Sequence, residues 1–79
     1  MSVTVITTEG TRITGESALD VVRQLNERAL IGEPDAWRYM VTLSARVRRL
    51  CGAVIRTTSP STFLADMAAA GYVALEEPA

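Results

Sequence analysis

A small α+β fold is what this sequence predicts: one domain over residues 1 to 79, ordered β-β-α-α-β-α-β, with three helices packed on a small, partly antiparallel sheet. Three observations predict it. The chain opens on a β-branched run, Val3-Thr4-Val5-Ile6-Thr7-Thr8, that returns after Gly10 through Thr11-Arg12-Ile13-Thr14. Three later stretches repeat apolar residues at helical spacing, and a capping residue opens each of them. Finally, 79 residues that are 48% apolar and 22% charged make a globular chain with room for one domain and not two.

Threonine, valine and isoleucine suit a pleated strand, and Gly10 supplies a residue free to take positive φ, so the opening reads as a β-hairpin. Gly15-Glu16-Ser17 then resets the backbone. Ser17 with Asp20 three residues on forms a capping box, with Asp in the usual place of Glu. The helix that follows, about Ala18 to Leu30, sets Ala18, Val22, Leu25 and Ala29 on one face and Asp20, Arg23, Gln24 and Glu27 opposite.

Gly32 and Pro34 stop that helix, and Asp35 is a ready N-cap for a second from about Ala36 to Cys51, with Gly52 at the C′ position. Its core stripe is expected to be Ala36, Met40, Leu43, Val47 and Leu50, bordered by Tyr39 and Cys51. The short link makes the two an antiparallel helical hairpin. Ala53-Val54-Ile55-Arg56-Thr57 reads as a strand. Ser59 and Pro60 open a third helix at N-cap and N1, with Phe63, Leu64, Met67 and Ala68 on its buried side and Gly71 at its end. Tyr72-Val73-Ala74-Leu75 completes the sheet before the acidic Glu76-Glu77.

The inventory of reactive groups is short. All eight basic residues are arginine, there is no histidine, and Cys51 is the one thiol. Internal disulfides and Cys/His zinc sites therefore lack partners, and imidazole catalysis is excluded. Cys51 has no base to activate it and is expected as a buried small hydrophobe. No enzymatic activity, cofactor or metal is expected. The chain has no stretch apolar enough to span a bilayer and no basic, apolar leader, which together with the lone thiol predicts a cytoplasmic protein.

Charge is distributed unevenly. The net charge of −1 divides into −3 over residues 1 to 35, +5 over residues 36 to 65 and −3 over the rest. On the second helix Arg38, Arg46 and Arg49 share a stripe with Thr42, away from Met40 and Val47. Such guanidinium groups, with Arg56 assisting, could grip phosphates, which makes nucleic-acid binding the alternative function. The competing reading is a solvated helix face, whose arginines complement the helix dipole and pair with Asp20, Glu27 or the acidic tail.

Trp37 stands about 80° to 100° off the apolar stripe, with Val41 and Arg48 on the same flank. Either the sheet, a neighbouring helix or the loop Ile31 to Pro34 covers it, or the three form an exposed strip with the composition of an interface centre. A third candidate is the loop into the last helix. There Thr58, Ser59, Ser61 and Thr62, with Arg56, offer hydroxyls and free N–H groups to an anion, although capping explains the same residues. The leading expectation is a small non-catalytic interaction module that binds a protein partner or itself through the Trp37/Val41/Arg48 flank or an open sheet edge, since so small a core gains from pairing with a second copy.

Overall fold

The computed structural model describes residues 2 to 29 and 32 to 76. Leu30 and Ile31, expected at the end of the first helix and in the loop over Trp37, lie outside that range, as does Glu77 of the acidic end. The described chain runs β1 (Val3–Thr7), β2 (Arg12–Gly15), α1 (Ala18–Arg28), α2 (Ala36–Cys51), α3 (Pro60–Ala69) and β3 (Val73–Glu76). The α+β class, the three helices and the leading hairpin are as the sequence predicts.

Strand order is β2-β1-β3, with both pairings antiparallel. The hairpin turn is closed by Gly10 N–H to the Thr7 carbonyl and Thr7 N–H to the Thr11 carbonyl, each 2.9 Å. Gly10 sits at φ +89, where a side chain would be strained. Val5 lies opposite Ile13 on one side and Leu75 on the other. Val5 and Ile13 are fully buried beneath the helices. The opposite face carries Thr4, Ile6, Arg12, Thr14, Ala74 and Glu76, with Thr4 and Thr14 hydroxyls 2.9 Å apart and an Arg12–Glu76 ion pair at 3.3 Å spanning β1.

Each helix start is held as its sequence specifies. Ser17 Oγ accepts from Asp20 N–H at 3.2 Å and Asp35 Oδ1 from Arg38 N–H at 2.8 Å. Ser59 Oγ accepts from Thr62 N–H at 3.1 Å. The reciprocal bond at α1 falls one residue early: Glu16 N–H, not the cap's own, donates to Asp20 Oδ2 at 3.0 Å. Gly15 permits this closeness, because a Cβ there would stand 2.8 Å from Asp20 Oδ2 and 3.0 Å from the Val21 nitrogen. Gly52 ends α2 in the left-handed region, its N–H donating to the Arg48 carbonyl.

α1 and α3 pack on the sheet, and α2 packs chiefly on α1. The core is Val5, Ile13, Val21, Val22, Ala36, Met40, Val47, Ile55, Phe63, Leu64 and Met67. One correction concerns residues 53 to 57, which form no strand. Ile55 is buried while Val54 is 69% exposed, so the segment alternates as a strand does. Its inner side packs on the core, but Arg56 N–H donates to the Asp66 carboxylate of α3 and not to a neighbouring strand. A side chain has taken the place of a ladder.

Two further expectations fail on α2. Leu50, placed in the core stripe, is 72% exposed, and Cys51 is exposed and not buried. Helical period identifies a face but not how far along the helix its cover extends. α2 has 16 residues against 11 in α1, and the cover that buries Met40 and Val47 does not reach Leu50 and Cys51 in its last turn.

Candidate interaction surface

Burial of Ala36, Met40 and Val47 on α1 fixes the rotation of α2 about its axis. That rotation turns Trp37, Val41, Ser44 and Arg48 to one side, all within about 60° of one another on a helix of 3.6 residues per turn. Trp37 is 48% exposed, Val41 is 56% exposed and Arg48 is exposed. The exposed strip is therefore real, and the described part of the preceding loop does not cover it. Ser44 Oγ donates to the Val41 carbonyl at 2.9 Å, so its hydroxyl is turned back on its own helix. Between Val41 and Arg48 the Ser44 hydroxyl proton is therefore already used within the helix.

At its N-terminal end the strip meets a groove of about 640 Å³, lined by Leu19, Arg23, Asn26, Glu27, Ala29, residues 32 to 36 and Trp37. Three carboxylates, Glu27, Glu33 and Asp35, face one guanidinium there. Asn26 shapes this side of the groove by pairing with Glu33 as a strand would: its Nδ2 donates to the Glu33 carbonyl at 2.9 Å, and its Oδ1 accepts from Glu33 N–H at 2.8 Å. Sequence reading missed the acidic groove, because Glu27 and Glu33 belong to different elements and only the turn between α1 and α2 joins them.

Arg38, Arg46 and Arg49 are exposed on the outer side of α2, and none forms an ion pair among the described residues. The pairing with Asp20 or Glu27 that a solvated face suggested is not formed there. Arg46 approaches Tyr39: burial raises the Tyr39 phenol above its ordinary pKa, and the Arg46 charge partly opposes that rise. Arg56 does not join this stripe. Its Nε and Nη2 donate to Asp66 at 2.9 and 3.0 Å, which pairs the guanidinium with a carboxylate of its own chain.

In the hydroxyl loop, the candidate anion residues bond in part to one another. Ser59 Oγ caps α3 and donates to Thr62 Oγ1 at 3.0 Å, so those two hydroxyls satisfy one another. Thr58 and Ser61 take no part in that pairing, and Arg56 is turned to Asp66. At the far end of α2 the Tyr72 hydroxyl donates to Cys51 Sγ at 3.7 Å, and that hydrogen bond is the main reason the Tyr72 phenol titrates above its usual range. Among the described residues no three His, Cys, Asp or Glu side chains come together as a metal site would require, and no helix is long and apolar enough to cross a membrane. Comparison with known proteins gives no match: no family model, no curated protein and no solved structure shares significant similarity with the chain.

Proposed function

We propose that this chain is a small non-catalytic, cytoplasmic interaction module that associates with itself through the Trp37/Val41/Arg48 flank of α2. The observation that carries the reading is the exposure of Trp37 at 48% and Val41 at 56% one turn apart on the same flank of a helix that buries Ala36, Met40 and Val47 on another side. Aromatic and arginine side chains on an exposed strip are the groups that dominate interface energetics. The core is built of eleven buried side chains, with no disulfide or metal cluster among the described residues, so covering the strip adds a sizeable share to what folding alone buries. Sedimentation equilibrium at tens of micromolar is the test: a dimer is expected, and a monomer throughout would contradict the reading.

One observation favours a second reading. Arg38, Arg46 and Arg49 stand exposed without a carboxylate partner among the described residues, as phosphate-binding residues of a nucleic-acid-binding helix would. On this reading affinity for an oligonucleotide falls steeply between about 50 and 200 mM salt, and Arg46→Ala with Arg49→Ala flattens that slope. An unchanged slope in the double variant would contradict it.

A further inference from the structure

We infer that the partner on this flank is the same flank of a second copy, in a two-fold antiparallel pairing of α2 with α2 that lays Arg48 of each copy across Trp37 of the other and into the acidic groove beside it. The inference rests on the self-association reading and gives it a geometry. Trp37, Val41, Ser44 and Arg48 follow one another at spacings of four, three and four, the heptad spacing that keeps one seam of a helix against another helix. In an antiparallel pair about a two-fold axis, Trp37 stands opposite Arg48 and Val41 opposite Ser44, so all four positions are used. Ser44 is small, and its hydroxyl is already bonded to the Val41 carbonyl, which leaves room for the opposing valine.

Charge selects the direction. A parallel pair would set Arg48 against Arg48, and would bring the groove carboxylates Glu27, Glu33 and Asp35 of the two copies together. The antiparallel pair brings each Arg48 to the other copy's groove. Trp37 and Arg48 lie about 16 Å apart along the helix, at 1.5 Å per residue, so both ends of the seam are engaged at once. A guanidinium over the indole face adds a cation–π contact. Residues 36 to 65 carry no carboxylate, so nothing on the same stretch of chain competes for Arg48.

Charge reversal tests the pairing. Arg48→Glu, and separately Glu27→Arg with Glu33→Arg, should each weaken the dimer about tenfold or more in sedimentation velocity, since each sets like charges together. Mixing the two variants should restore it. The carboxylate introduced in one variant then meets the arginine groove of the other, whose own Arg48 meets an acidic groove in return. The loop survives the groove substitution, since Glu33 holds Asn26 through its main chain and not its carboxylate. Trp37→Ala, at a half-exposed side chain, should independently weaken the dimer about tenfold. A wild-type chain that stays monomeric leaves the flank to another partner, and overturns both this pairing and self-association. A wild-type dimer that Arg48→Glu leaves intact, or reversed variants that do not recover on mixing, overturn the pairing alone.

Discussion

Asp66 of α3 accepts three hydrogen bonds from Arg56: one from its main-chain N–H at 2.8 Å, one from Nε at 2.9 Å and one from Nη2 at 3.0 Å. This bidentate grip ties the segment between α2 and α3 to the body of the fold. The Arg56 hydrogen bonds hold the Asp66 carboxyl down from 3.8 to about 2. A depressed carboxylate contributes stability that is present above its unfolded pKa and lost as pH falls through the folded one. Asp66→Asn should therefore lower the melting temperature near neutral pH. The difference from wild type should shrink between about pH 4 and pH 2, where both chains come to carry a neutral group. Thermal melts of the two proteins across that range check it.

Gly15→Ala is expected to destabilise by about 1 to 3 kcal/mol, the usual cost of forcing atoms into a well-packed site. The added methyl meets the Asp20 carboxylate at 2.8 Å and the Val21 main chain at 3.0 Å, so it disturbs the start of α1 and the hairpin together. Urea denaturation gives the number. An unchanged midpoint would show that α1 can withdraw from β2 without cost.

Asn26→Asp should destabilise more than Asn26→Ala. Alanine removes both hydrogen bonds to Glu33, at a cost of about 1 to 2 kcal/mol. Aspartate keeps an acceptor for Glu33 N–H but sets a second oxygen against the Glu33 carbonyl, where an N–H now donates. Chemical denaturation of the three proteins at neutral pH ranks them.

Leu50→Glu should change stability by less than about 0.5 kcal/mol, while Met40→Ala should cost about 2 to 5 kcal/mol. The two residues share a stripe in the sequence, yet one is 72% exposed and the other fully buried. Equal costs would contradict a cover that does not reach the last turn of α2.

Local signals predicted well wherever the physics is local. Ser17, Asp35 and Ser59 cap the helices that follow them, and Gly10 and Gly52 take positive φ. What failed needed distant partners. The alternation of residues 53 to 57 matches a strand, but both sides of β1 are already taken by β2 and β3, and Asp66, ten residues on, takes the Arg56 N–H instead. The candidate strip was legible in part: the offset of Trp37 by about 80° to 100°, with Val41 on the same flank, was readable from period alone. Their exposure, and the carboxylates gathered beside Trp37, depend on how α1 and its following loop pack against α2.

Trp37 is the chain's one tryptophan, so its fluorescence reports the flank without labelling. The most direct test is its emission maximum, followed as the protein is diluted from tens of micromolar to well below one micromolar. Pairing through α2 predicts a blue-shifted maximum when concentrated that moves to the red on dilution, as a half-exposed indole returns to water. An emission maximum that stays constant across the whole range would contradict the assignment of this flank as the self-association surface.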